Sequence, residues 1–348
     1  MFNTLILGAG SIGSAFSIPC LDCKHKVTIV GTHFDYKLIN IIKNNNNFHP
    51  FLKLKLPKKI NILNHSDLNK KIMNKSDLVI LAITSQGIEW AADQLKNFVT
   101  GKYLPPILML TKGLSIYKNK YESLADKLER LLIIKGFKSI NISVFGGPCL
   151  AMGLGNKVHT SIIISNKKIK NAIWLKNILS TNYLHISISD DRIGVEVCAA
   201  IKNVYSIIIG ASKGLCNEKI HNNLKTNNYL NTAASLIKQS LHEMFLLMNF
   251  FKGKKESVYG LAGLGDLYVS ASGGRNSKIG SYLGNNLKYS TAKKLKMPNE
   301  TIEGAELIFE LGHKIKKDFN VKQFPLLFAI INAILYDKKI IINWNNFK

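Results

Sequence analysis

The chain has 348 residues, 46% of them hydrophobic, enough for two domains that each bury a core. Its 47 Lys and Arg against 22 Asp and Glu give a formal charge of +25, yet only Arg130, Arg192 and Arg275 are arginine. The lysines are dispersed, with no recognition motif or interleaved stacking aromatics, which points to a compositional drift towards Lys, Asn and Ile and away from a nucleic-acid-binding protein.

The longest apolar stretches, Met244–Phe251 and Phe324–Leu335, are each broken by an asparagine and are too short to span a bilayer. Met1-Phe2-Asn3 leads straight into a strand pattern without a charged leader, so the expectation is a cytoplasmic protein with no stable membrane insertion. Cys20 and Cys23 form one C-x-x-C, but no second pair or histidine cluster completes it, and no metal site is expected.

Asn3–Leu7 reads as a buried strand, and Gly8-Ala9-Gly10-Ser11-Ile12-Gly13 follows it at once. A lone G-x-G-x-x-G is weak, but this one lies between a strand and a helix, with a second strand at Val27–Val30, and reads as a dinucleotide-binding turn. Its glycines let the backbone approach a pyrophosphate, which rests on the helix N-terminus. The helix Ser14–Cys20 is expected to end early because of Pro19. Gly31-Thr32-His33 follows the second strand without an Asp or Glu to hold a ribose 2′-hydroxyl, so both NAD and NADP stay open as cofactors. Asn44–Pro57 is polar and proline-bounded and reads as a surface loop.

Strands Asp77–Ile83 and Ile107–Leu110 end in Thr84-Ser85-Gln86 and Thr111-Lys112-Gly113, at the carboxyl ends where ligands bind in such sheets. Ile140–Phe145 runs into Gly146-Gly147-Pro148-Cys149-Leu150-Ala151, and Ser161–Ser165 and His185–Ser189 continue the alternation. The fold class is α/β: a Rossmann-type doubly wound sheet over residues 1–190, followed by an all-α domain over 191–348. In that second part Val197, Ile201, Val204 and Ile208 share one helical face, and Lys202-Asn203 interrupts an apolar run. A lysine there snorkels, pairs with an acid or is kept for chemistry. Lys213–Asn228 reads as a polar loop before the helix Leu230–Phe251, and Glu303–Lys317 and Pro325–Asp337 are further helices.

Taken in order, G-x-G-x-x-G, Thr84-Ser85-Gln86, Lys112-Gly113, Gly147-Pro148-x-x-Ala151, Lys202-Asn203, Gly263-Leu264-Gly265-Asp266-Leu267, Arg275-Asn276 and Glu303-Gly304 closely resemble the glycerol-3-phosphate dehydrogenases that use NAD(P). The resemblance covers nearly the whole chain. It implies a Rossmann domain followed by an all-α domain, and interconversion of dihydroxyacetone phosphate and sn-glycerol 3-phosphate in the cytosol for phospholipid synthesis. It implies Lys202 as proton donor and acceptor, with Lys112 touching substrate and nicotinamide cofactor. Gly147, Cys149, Asn203, Asp266, Gly274, Arg275 and Asn276 would line the substrate. Gly8, Gly10, Ser11, Ile12, Gly13, Thr32, Ala151, Arg275, Thr301 and Glu303 would contact the cofactor. A homodimer without nucleic acid is the expected assembly. Cys149 stands where many bacterial members have Ser or Thr, Gly274 where many have Ser, and Thr84 where a proline is common. The cofactor-selecting position falls on Thr32 or His33.

The residue types suit that chemistry. Reducing a ketone with NAD(P)H needs an acid beside the carbonyl oxygen, and Lys202 serves if burial and neighbouring cations such as Lys112 depress its pKa. Asp266 is the natural group to orient it, and the retained Arg275 can bind a phosphate bidentately. Singly, these residues have ordinary readings: Asp266 as a helix cap, Arg275 and Lys112 as solvated cations, Glu303 as a helix-start acid and Cys149 as a small filler. The rival functions are a dinucleotide-binding sensor without turnover and a two-domain dehydrogenase of another small hydroxy acid.

Overall fold

The computed structural model describes residues 1–217 and 229–348. Two compact units emerge, one of residues 1–112 and 122–196, the other of 113–121 and 197–348. The chain therefore passes from the first unit to the second, back again, and over once more.

The first unit is built on an eight-stranded sheet, ordered Leu184–Ser189, Thr160–Ser165, Ile142–Gly146, Ile107–Met109, Leu78–Leu81, Asn3–Leu7, Lys26–Val30, Asn61–Leu63. Every neighbouring pair is parallel except Ile142–Gly146 with Thr160–Ser165, so the last two strands run against the other six. Central strands such as Leu78–Leu81 read as continuous apolar runs because helices cover both faces. From Asn3–Leu7 the chain builds outwards on one side and then returns to the other at Leu78–Leu81. Such a reversal opens a crevice at the carboxyl ends of those two strands.

Three local readings are corrected. The first helix runs from Ser11 to Asp22 with Pro19 inside it; the ring removes only its own donor, and the Cys23 amide still donates to the Pro19 carbonyl at 2.9 Å. Asn44–Pro57 is only partly a surface loop. Phe48–His49 pairs with Leu54–Lys55, and Leu52, Leu56 and His49 are buried. The His49 Nε2 lies 3.2 Å from the Ala9 carbonyl, and the Leu52 amide donates to Nδ1. Since a carbonyl only accepts, the ring carries its proton on Nε2; burial lowers its pKa and keeps it neutral. Lys213–Asn217 belongs to the helix Arg192–Asn217 rather than to a loop, and the rest of Lys213–Asn228 lies outside the described residues.

The helical unit is organised by the part of that 26-residue helix, Arg192–Asn217, that follows Glu196. By length and composition its stretch Arg192–Cys216 would pass for a membrane span, yet 94% of its most apolar window is buried inside the protein. The helix Arg275–Gly284 lies against it backbone to backbone: a Cβ on Gly280 or Gly284 would fall inside the carbonyls of Ile207 and Ala211, and one on Gly210 inside that of Ser277. Deeper in the unit the buried Glu243 carboxylate accepts from the Leu326 and Leu327 amides, from Gln239 and from Tyr205. A side chain thereby caps a helix, Pro325–Leu335, far from it in sequence. Residues 114–123, which carry no element in the sequence reading, form a two-stranded hairpin, Leu114–Tyr117 and Lys120–Ser123. Its turn residues Lys118 and Asn119 both have positive φ, as a two-residue hairpin turn requires.

Candidate active site

In the first unit, the glycine turn links Asn3–Leu7 to the helix Ser11–Asp22. Gly8 has φ +112°, and a side chain there would meet the Ala82 backbone; one on Gly13 would meet the Gly8 carbonyl. These two glycines thus serve close packing of helix on sheet. Gly10 differs: a Cβ there would have nothing within 4 Å. It caps the helix without any side-chain bond, leaving the first-turn amides of Ser11, Ile12 and Gly13 to a ligand. Open space, first-turn amides and a helix N-terminus suit a pyrophosphate. Ser11 is half-buried, and Ile12 packs partly on the sheet core.

The loop after the second strand holds a surprise. Asp35, three residues beyond Thr32, turns back so that its Oδ2 accepts from the Thr32 amide (2.7 Å), the Thr32 hydroxyl (2.9 Å) and the Ala9 amide (3.3 Å). Thr32 is therefore fixed to the glycine turn by a carboxylate that the sequence reading did not consider. His33 is exposed, with its ring 3.9 Å from that of Phe34.

Lys112 ends the strand-and-loop segment after Ile107–Met109, and its Nζ lies 5.3 Å from the centre of the Phe145 ring. Phe145 belongs to the neighbouring strand, which Gly147 (φ +108°) then turns away from the sheet. Cys149 and Ala151 pack partly buried on the apolar core of the unit.

The helical unit carries a tighter cluster. Lys202 is 6% exposed and Asp266 3%. The Lys202 Nζ donates to Asp266 Oδ1 at 2.9 Å and to Ser270 Oγ at 2.6 Å. The lysine therefore does not snorkel; it pairs with an acid. Asp266 is delivered by a wide π-type turn, Leu261–Gly265, which leads straight into the helix Asp266–Gly273. Such turns recur at functional sites. Asp266 is the first residue of that helix rather than its cap, and Ser270 stands one turn on, on the same face.

Beside this pair runs a relay of fixed polarity. The Gly304 amide donates to Asn276 Oδ1 (2.9 Å), and Asn276 Nδ2 donates to Asn203 Oδ1 (3.1 Å). Asn203 Nδ2 donates to Glu303 Oε2 (3.0 Å), whose Oε1 accepts from Arg275 Nη2 at 3.1 Å. An amide N–H at one end and a carboxylate at the other dictate which way both asparagines point. Asn203 and Asn276 are buried, while Arg275 and Glu303 are half-exposed. Gly274 caps the Arg275–Gly284 helix, and a Cβ there would stand 3.1 Å from the Ser270 carbonyl. Thr301 is exposed, two residues before Glu303.

The structure thus joins Lys202, Asn203, Asp266, Arg275, Asn276 and Glu303 by direct bonds or through one relay. Thr301, Cys149 and Ala151 are not members of that relay. Ser270 and Asp35 were missed. Ser270 had a usable signal, its i+4 spacing from Asp266; Asp35 had none, because the intervening residues gave no hint of the return.

Family models described as NAD-dependent glycerol-3-phosphate dehydrogenase N-terminus and C-terminus match residues 3–172 and 191–344. An NADP(+)-dependent glycerol-3-phosphate dehydrogenase of Archaeoglobus fulgidus is 30% identical over 318 residues, 90% of each chain. A glycerol-3-phosphate dehydrogenase [NAD(P)+] of Clostridium botulinum is 26% identical, covering 97% of this chain and 94% of its own. In fold, the crystal structure of a glycerol-3-phosphate dehydrogenase from Coxiella burnetii superposes with a TM-score of 0.79 at 24% identity, covering 97% of this chain and 96% of that one.

Proposed function

The chain belongs to the NAD-dependent glycerol-3-phosphate dehydrogenase family, and we propose that it interconverts dihydroxyacetone phosphate and sn-glycerol 3-phosphate with NAD or NADP. The observation that carries the reading is the buried Lys202 ammonium, held by Asp266 and Ser270 beside the asparagine relay.

The glycine turn holds the pyrophosphate, with Gly10 giving it room and Ser11, Ile12 and Gly13 presenting their amides. Thr32, fixed by Asp35, borders the adenosine half. When bound, the nicotinamide supplies or takes up the hydride. In the reducing direction Lys202 gives a proton from Nζ to the C2 oxygen of the substrate as that oxygen gains charge; in the other direction it takes the proton back. Asp266 and Ser270 aim Nζ, so the proton waits in one place instead of being searched for by a mobile side chain. Arg275 binds the substrate phosphate and lies near the cofactor, and its pairing with Glu303 keeps the guanidinium from wandering. Asn276 and Asn203 orient substrate polar groups, and Lys112 contacts substrate and nicotinamide, as the family resemblance implies. Gly147, Cys149 and Gly274 complete the substrate lining, and Ala151, Thr301 and Glu303 the cofactor lining. The product would feed glycerophospholipid synthesis. Cytoplasmic location and a homodimer belong to the same proposal, tested by cell fractionation and by light scattering.

The deciding assay follows NADH and NADPH absorbance, separately, after addition of dihydroxyacetone phosphate. Oxidation that depends on the phosphate, and is absent with unphosphorylated dihydroxyacetone, supports the reading and ranks the cofactors. Binding of both cofactors without oxidation of either would favour a sensor.

A further inference from the structure

We propose that the hairpin 113–121 is a tether for Lys112, and that Tyr121 is its positioning residue. This rests on the reading of Lys112 as part of the reaction site. Lys112 is the last residue of its stretch in the first unit, and Gly113 begins the stretch that belongs to the helical unit. On its other side Lys112 follows Thr111, whose hydroxyl is bonded to the Ile83 carbonyl at 2.9 Å. Lys112 is thus joined to the hairpin by one peptide bond, through Gly113 at φ +150°.

The hairpin is fastened firmly. Leu114 and Ser115 are buried, and the strand Leu114–Tyr117 packs on the helix Glu303–Asp318. The Tyr121 ring meets those of Phe250 and Phe251 edge-on at 5.7 and 5.5 Å and that of Phe319 at 6.3 Å. The Lys314 ammonium sits 5.0 Å from the Tyr121 ring centre, lies 3.3 Å from Asn119 Oδ1 in the hairpin turn, and pairs with Asp318 at 2.9 Å. Burial and the nearby Asp318 carboxylate push the Tyr121 hydroxyl up, so it stays neutral. One cation thus holds the turn and the ring together.

The helix that receives the hairpin has a second duty. Its first turn is Glu303-Gly304, where the asparagine relay begins and ends. Lys314 lies eleven residues on in the same helix. At about 1.5 Å per residue, one straight rod of roughly 16 Å connects the relay to the hairpin dock. Tyr121 therefore references the backbone just after Lys112 to the element that carries Glu303.

The test is a double-mutant cycle on the full-length enzyme, read as kcat/KM for dihydroxyacetone phosphate, with the thermal midpoint recorded for every variant. Lys112→Ala should lower kcat/KM, and Tyr121→Ala should lower it about tenfold or more, since misplacement of a reacting group by about an ångström is that costly. In the Lys112→Ala background the tyrosine change should cost less than about twofold, because a residue acting through another has nothing left to act on. Tyr121→Phe, which keeps the ring, should retain activity. If the tyrosine and lysine losses multiply, or Tyr121→Ala is as active as the unaltered enzyme, the tether is wrong. If Lys112→Ala is itself fully active, the role given to Lys112 fails instead. Should Tyr121→Ala not fold, Phe319→Leu, which trims one wall of the dock, enters the same cycle with the same two outcomes.

Discussion

Asn276→Ala cuts the relay at its middle. Two partners lose their bonds at once: the Gly304 amide loses its acceptor and Asn203 Oδ1 its donor. Each buried polar group left unsatisfied costs about 1–3 kcal/mol. The site is 7% exposed, so a water can take the place of the missing amide and recover part of that. The loss should therefore fall near ~2 kcal/mol, together with a fall in kcat/KM as Asn203 loses its fixed orientation. Asn276→Asp sharpens the test. Its carboxylate still accepts from Gly304 but faces Asn203 Oδ1 with an acceptor. Asn203 can flip its amide to donate, yet it then points its oxygen at the Glu303 carboxylate. The conflict moves along the relay without vanishing, so the aspartate should be at least as damaging as the alanine. Urea unfolding with a shared m-value and steady-state kinetics measure both effects. A loss under about 0.5 kcal/mol for both variants would mean that the relay is not under tension and that the reasoning from fixed polarity is wrong.

Three further outcomes are expected. Ser270→Ala should lower kcat/KM about tenfold with little change in thermal midpoint, because it removes one of the acceptors that aim Lys202; Ser270→Thr keeps the hydroxyl and should stay active, and equal rates for alanine and serine would dismiss Ser270. Gly280→Ala drives a methyl into the Ile207 carbonyl and should cost more than about 2 kcal/mol, whereas Gly10→Ala, with open space around it, should leave stability unchanged and weaken cofactor binding; calorimetry and cofactor titration separate the two. Burial raises the Glu243 carboxyl from 4.5 to about 7. Between those values the folded state holds more protons than the unfolded one, so this group's stabilisation is complete below pH 4.5 and is lost as pH rises through 7. Glu243→Gln removes that dependence, and its stability deficit relative to the unaltered protein should shrink from pH 5 to pH 8; a constant deficit would contradict the shift.

Much of this was legible in the sequence for a physical reason. Parallel strands buried on both faces announce themselves as apolar runs, and a glycine turn between strand and helix has few other uses. Lys202-Asn203 stood out because charge and amide interrupt an apolar helical face. What escaped depends on the chain coming back to itself. Asp35 looks like an ordinary helix-start acid until its carboxylate is found on Thr32 and Ala9. The hairpin has two four-residue strands and a Lys-Asn turn where Asn-Gly would have been the recognisable signal. Asn44–Pro57 reads as loop because it opens on a run of asparagines and carries Pro50 and Pro57; its short strand pair, the buried Leu52 and Leu56, and His49 beneath Ala9 show why the segment is held. Glu243 looks exposed by type; Gln239 one turn back on its own helix and three donors from distant segments make its burial tolerable.

The double crossing of the chain at residues 112–122 bears on any attempt to dissect the protein. A fragment ending near residue 190 would carry away the hairpin, and a fragment starting there would leave Phe250, Phe251 and Phe319 without the ring they enclose. The helical half made alone should therefore display a sticky aromatic face and be prone to self-association. Supplying residues 113–121 as a grafted extension, or cutting and rejoining the chain so that they travel with the helices, would be the way to obtain it as a well-behaved piece.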